Sequence, residues 1–269
     1  MQGTRYTVSG AGGVELMVLS AGKGPPLLLV HGGVGQIEGW APVWDLLESE
    51  RRVIAMDRRG RGSSGDAGTY RIEDEYEDVF AVASALAEEA EGPIDVFGHS
   101  FGGTCAIGAA ARGAPFGRIA VYEPPGKESV TPDFVDRLFV AVAEGTPGRA
   151  MVSFLTENIG LSISEVDNLR ATPPAYDILK VLSDTLPREG KALLNVDVPA
   201  LASNITAPVL FLLGERSPIW AKDITHRAAA AIANSKVTLL PGLGHMAIDS
   251  DPQRVVDELN SFLAEDPAR

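Results

Sequence analysis

The apolar run Ile94-Asp95-Val96-Phe97 stops at Gly98-His99-Ser100-Phe101-Gly102, and the small-residue run Gly103-Thr104-Cys105-Ala106-Ile107-Gly108-Ala109-Ala110 follows. Strand, sharp turn and helix in that order leave few folds open. A turn this tight needs glycine on both sides to avoid clashes. It holds the central serine in strained backbone, with its hydroxyl exposed and a helix N-terminus behind it. Ser100 is therefore a candidate nucleophile. The pentapeptide alone is a weak signal; its weight comes from the flanking strand and helix.

The rest of the chain repeats the alternation. Short apolar runs predict strands at Glu15–Leu19, Leu27–Val30, Arg52–Met56, Ile94–Phe97, Ile119–Tyr122, Val209–Leu213 and Val237–Leu240. Several are continuously apolar, as in strands covered on both faces. Helical patterns fall at Ile72–Ala90, Phe101–Ala111, Ala221–Ala233 and Gln253–Ala264. This order predicts an α/β fold with a mostly parallel central sheet and helices on both faces. One connection, from Tyr122 to Val209, is far longer than a single crossover requires. Its stretch from Ser129 to Leu194 has no strand-like run and reads as short helices broken by Pro132, Pro147, Pro173-Pro174 and Pro187. We read it as a helical cap (129–194) inserted into a core formed by 1–128 and 195–269.

The chain has 269 residues, is 45% hydrophobic and carries a formal net charge of −13. That charge argues against nucleic acid and anionic membranes as partners. The acidic run Glu73-Asp74-Glu75-Tyr76-Glu77-Asp78 reads as the first turns of a solvated helix, where carboxylates suit the helix dipole. One cysteine, Cys105, excludes an internal disulfide and a cysteine-rich zinc site. No secretory leader or membrane-spanning run is expected, so the reading is a cytoplasmic protein, as a monomer or a homodimer.

Four stretches together resemble the α/β-hydrolase fold over nearly the whole chain. They are Leu28-Leu29-Val30-His31-Gly32-Gly33, Asp57-Arg58-Arg59-Gly60-Arg61-Gly62-Ser63-Ser64, the Gly98–Gly102 turn and Gly242-Leu243-Gly244-His245. Their order and spacing match that family. The resemblance implies an oxyanion hole from the backbone N–H groups of Gly33 and Phe101. It implies a general base at His245, on a loop after a late strand. His31 and His99 belong to the turn motifs, His226 lies in a charged helical stretch, and Asp57 falls at a position the family uses structurally.

The family's acid is where the chain departs from the pattern. After Val209-Leu210-Phe211-Leu212-Leu213, Ser217 stands where family members usually carry aspartate, and serine supplies no negative charge at neutral pH. Glu123, directly after the strand ending at Tyr122, is the best replacement. Certain haloalkane dehalogenases and the zearalenone lactone hydrolases place their acid at the end of that strand. Glu215 is the rival.

The expected protein is a cofactor-independent serine hydrolase of carboxylic esters or lactones, working through Ser100, His245 and Glu123 by way of an acyl-enzyme. Trp220, Ile219 and Met246 flank the loops and are candidates to line the pocket. Nothing in the spacing suggests a metal, a phosphate-binding loop or a dinucleotide fingerprint. A serine nucleophile argues against haloalkane dehalogenase and epoxide hydrolase chemistry. Carbon–carbon bond hydrolysis, perhydrolysis, hydroxynitrile lysis and cofactor-free oxygenation keep a place as alternatives. So does a non-enzymatic ligand receptor with a weakened triad, for which Ser217 is the feature in favour.

Overall fold

The computed structural model describes residues 1–171 and 183–265. Its centre is a sheet of eight strands: β1 (Thr4–Ser9), β2 (Glu15–Ala21), β3 (Pro26–Val30), β4 (Arg52–Met56), β5 (Ile94–His99), β6 (Phe116–Tyr122), β7 (Val209–Gly214) and β8 (Ser235–Leu240). Their spatial order is β1-β2-β4-β3-β5-β6-β7-β8. β2 pairs antiparallel with β1 and with β4, and every pair from β4 onward is parallel.

Seven of these strands coincide with apolar runs in the sequence. β1 does not, because it is an edge strand. Only Tyr6 and Val8 pack on the core while their neighbours face outward, so Thr4–Ser9 alternates instead of running apolar. The central strands are apolar throughout because successive residues enter different cores. Leu28 and Val30 of β3 pack in one cluster with Tyr76, Val79, Ile107 and Ile224. Leu27 and Leu29 pack in the other with Trp40, Trp44, Leu259 and Phe262. The helices Ile72–Glu89, Phe101–Ala110 and Ile219–Ala230 therefore cover one face, and Ala41–Glu48 and Pro252–Leu263 cover the other.

Between β6 and β7 lie the helices Pro132–Ala143, Pro147–Ser153, Ile163–Arg170, Leu186–Leu193 and Val198–Ala202. Pro132, Pro147 and Pro187 begin helices here instead of breaking them. Proline has no N–H to lose in a first turn, and its fixed φ is already helical. Pro173-Pro174 lie outside the described residues. Thr131 caps one helix through Phe134 N, and Ser162 forms a capping box with Glu165 on another. A π-turn, Phe154–Asn158, closes with Ile159 N donating to Phe154 O at 3.0 Å. Two apolar clusters hold this segment. One joins Phe134, Leu138 and Leu186 to Val34 of the loop after β3, and the other joins Met151, Leu155, Ile159 and Val166.

The acidic run corrects the sequence reading. Glu75 and Asp78 are buried, because the helix Ile72–Glu89 turns them onto arginines of the loop after β4. Arg58 Nη1 donates to Glu75 at 2.7 Å, and Arg59 holds Asp78 through two nitrogens at 2.6 and 2.8 Å. Asp57 likewise serves backbone, accepting from Ile37 N at 2.7 Å and Ser63 N at 2.9 Å.

Candidate active site

Ser100 sits between β5 and the helix Phe101–Ala110 with φ 52° and ψ −124°. A side chain in this region is strained by roughly 1–3 kcal/mol, and strain of this kind gathers at functional sites. Close packing makes the neighbouring glycines obligatory. A Cβ on Gly98 would come within 2.6 Å of Gly103 Cα, and one on Gly102 within 2.1 Å of Val30 O. Ser100 N donates to Tyr122 O at 2.8 Å, which ties the turn to the end of β6. Of the four non-glycine residues with positive φ among the described residues, Val34, Ser100 and Glu123 all adjoin one cavity or support it.

Glu123 follows β6 with φ 48° and is wholly buried. Its Oε1 accepts from Gly214 N at 2.7 Å, and its Oε2 accepts from His245 Nδ1 at 2.6 Å. The carboxylate thus spans from the end of β6 to the end of β7 and fixes the histidine ring. His245 Nε2 is buried without a hydrogen-bond partner. Ser100 and His245 line the same cavity. Ser217 Oγ lies against Gly214, so the serine at the usual acid position and Glu123 converge on one place. Glu215 turns elsewhere, with its Oε2 accepting from Gly242 N at 2.7 Å.

Three aromatic rings also surround His245. His99, Trp220 and Tyr122 rings lie 5.0, 5.7 and 6.3 Å from its centroid. His99 Nε2 donates to His245 O at 3.0 Å, and Tyr122 Oη donates to Gly244 O at 2.6 Å. Burial, and then the neighbouring His245, push the His99 pKa down to about 3. Burial, and then Glu123, raise the Tyr122 hydroxyl. Both side chains are therefore neutral supports of the His245 loop near neutral pH. His31 is also held neutral, lowered well below 6.5 by burial and by Arg58.

The cavity has a volume of about 630 Å³ and a mostly apolar wall. His31, Gly32 and Gly33 form one side of it. Phe101 N–H belongs to the first turn of the helix behind Ser100. Met246 lines the cavity, whereas Trp220 stands behind His245 with its Nε1 donating to Asn158 O at 2.9 Å. Ile219 is 85% exposed and is not among the residues lining the cavity. The sequence reading did not single out Phe154, Leu155, Ile159 and Leu169, which complete the wall from the segment between β6 and β7. Their only signal was apolar character in helical spacing, which core residues share. Among the described residues, no lysine or arginine lines the cavity, while Glu38, Glu165 and Asp249 do.

The sequence model of the alpha/beta hydrolase family matches residues 27–258. The chain belongs to the alpha/beta hydrolase family. An alpha/beta hydrolase from Sphaerobacter thermophilus is 32% identical, with a TM-score of 0.79, over 94% of this chain and all of that one. The enol-lactonase from Burkholderia xenovorans has a TM-score of 0.80 at 20% identity, covering 97% of this chain and 100% of its own. The 2-(acetamidomethylene)succinate hydrolase of Mesorhizobium japonicum is 24% identical over 264 residues, 94% of this chain and 92% of that protein. Among the described residues of this alpha/beta hydrolase, no helix is long and apolar enough to cross a membrane, and no group of three His, Cys, Asp or Glu could hold a metal ion.

Proposed function

We propose that this hydrolase cleaves uncharged carboxylic esters or lactones through Ser100, His245 and Glu123. One observation carries the reading: His245 is fixed by Glu123 through Nδ1, while its other nitrogen is unpaired at the cavity that Ser100 lines. In this reading His245 Nε2 takes the Ser100 proton as Oγ attacks the carbonyl, and Glu123 stabilises the imidazolium that forms. The N–H groups of Gly33 and Phe101 stabilise the oxyanion. His245 returns its proton to the leaving alcohol, then activates a water that releases the acid from Ser100. Residues 129–194 act as the cap and supply much of the substrate wall.

The lining argues for an uncharged substrate. An apolar wall with carboxylates near it repels a substrate carboxylate and offers it no described cationic partner. This sets the chain apart from a relative named for a succinate substrate.

The test is intact-mass spectrometry after treatment with a fluorophosphonate, beside Ser100→Ala and an ester and lactone panel. A single adduct on the wild type, absent from Ser100→Ala together with turnover, is the expected result. A folded wild type that takes no adduct and turns over no ester overturns the reading.

A further inference from the structure

Arg58 lies in the turn after β4, outside the set Ser100, His245 and Glu123, and is wholly buried. Its Nε donates to His31 O at 3.1 Å and its Nη2 to Gly32 O at 3.2 Å. Its backbone N donates to His31 Nε2 at 3.1 Å, which leaves Nδ1–H of that ring to donate to Gly32 O at 2.9 Å. Gly32 O therefore receives two donors, one of them cationic. The same guanidinium lies 4.6 Å from the centre of the Phe101 ring. One side chain thus touches the peptide that carries Gly33 N–H and the ring of Phe101, the two residues whose N–H groups the proposed mechanism needs.

Gly32 C=O and Gly33 N–H belong to a single peptide unit. A donor on the carbonyl oxygen draws electron density from the nitrogen and strengthens its N–H as a donor. That unit is also pressed against the nucleophile, since a Cβ on Gly32 would come within 2.9 Å of Ser100 Cβ. We infer that Arg58 is a positioning residue of the oxyanion site, holding and polarising the Gly32–Gly33 peptide toward the charge that develops on the substrate carbonyl. The inference rests on the serine-hydrolase reading above.

Keeping a full positive charge there requires compensation, and the fold provides it. Glu75 accepts from Arg58 Nη1 at 2.7 Å. Glu189, on the helix Leu186–Leu193, accepts from Arg58 Nη2 and from Arg61 Nη2 at 2.8 Å. Burial favours the neutral form of Glu189, but Arg61 and Arg58 outweigh it and hold the carboxyl below its usual range. Arg58 itself is raised well above its ordinary value: Glu75 and Glu189 overcome the burial that opposes its charge. Buried ion pairs of this kind seldom add net stability over an apolar core, because desolvation cancels most of the attraction. Electrostatic work at the adjoining peptide gives this one a reason to persist.

The experiment measures kcat and KM of Arg58→Gln and Arg58→Lys on an uncharged ester. Alongside, it measures inhibition by a trifluoromethyl ketone, which forms an oxyanion on Ser100, and by the matching methyl ketone, which binds without one. Arg58→Gln is expected to lower kcat on the order of 10- to 100-fold. KM should stay within about threefold, and the trifluoromethyl ketone should weaken in step with kcat while the methyl ketone holds. Arg58→Lys keeps the charge but loses the planar fork, so it recovers part of the loss. It carries the test alone if Arg58→Gln fails to fold: a kcat below wild type, matched by selective weakening of the trifluoromethyl ketone, supports the inference. Unchanged kcat in a folded variant, or equal weakening of both ketones, overturns it. Ser100→Ala separates the two levels. Turnover retained there removes the serine-hydrolase reading itself, whereas turnover lost there but kept in Arg58→Gln removes only the role of Arg58.

Discussion

Two buried glutamates put the same side chain to opposite uses. Glu123 faces a histidine and a backbone N–H. Glu189 faces two arginines, which stay charged throughout the working range. In the proposed mechanism the first region moves a proton during turnover, whereas the second holds a fixed charge pattern. The difference lies in the partners and not in the carboxylates, since both are withdrawn from water. Burial by itself therefore does not mark a carboxylate as part of the chemistry.

Substitutions can break this contrast. The largest effect belongs to Ser100→Ala: ester turnover falls about 10⁴-fold or more while thermal melting stays near that of wild type. Glu123→Gln follows. The amide oxygen can still accept from Gly214, but the charge that supports the imidazolium is gone, so kcat falls about 10³- to 10⁴-fold. Adding Ser217→Asp to that variant restores part of the activity, because both positions adjoin Gly214. Glu189→Gln inverts the pattern. It removes the buried charge that Arg58 and Arg61 share and costs about 3 kcal/mol in urea unfolding, with kcat lowered less than tenfold. If Glu123→Gln and Glu189→Gln lose activity and stability in the same proportions, the distinction between the regions fails.

Two smaller effects sharpen it. An ester bearing a carboxylate on its acyl chain should show a kcat/KM about 10- to 100-fold below that of its neutral isostere, since the described lining repels the charge. The pH dependence of stability comes last. The His99 pKa is lowered to about 3 in the folded protein, so below pH 6.5 the unfolded chain binds a proton that the folded one does not. Its contribution to stability is complete above pH 6.5 and is lost progressively as pH falls toward 3. Between pH 6.5 and 5 this amounts to about 2 kcal/mol. Urea unfolding of wild type and His99→Gln at both pH values measures it, with the shallower slope expected in the variant.

The sheet was legible in the sequence wherever a strand is covered on both faces, because burial then writes a continuous apolar run, as in Leu27–Val30 and Val209–Leu213. β1 was not, since an edge strand needs apolar residues at only two positions. Ser100, His245 and Glu123 stood out because each sits where a strand ends and a turn begins. The cavity wall did not: Phe154 and Leu155 carry no local mark that separates a pocket wall from a core.

What the sequence determined by itself is local. Gly98 and Gly102 permit the turn that strains Ser100, apolar runs set the strands, and Ser217 leaves Glu123 as the carboxylate at a neighbouring strand end. Only the tertiary structure decided partnership. It gave Glu123 rather than Glu215 to His245, turned Glu75 and Asp78 inward from a run that looked solvated, and brought Glu189 across 131 residues of chain to Arg58. Charged groups find partners by proximity in space, and the energy of a pair depends on the distance and the water left between them. A one-dimensional pattern records neither.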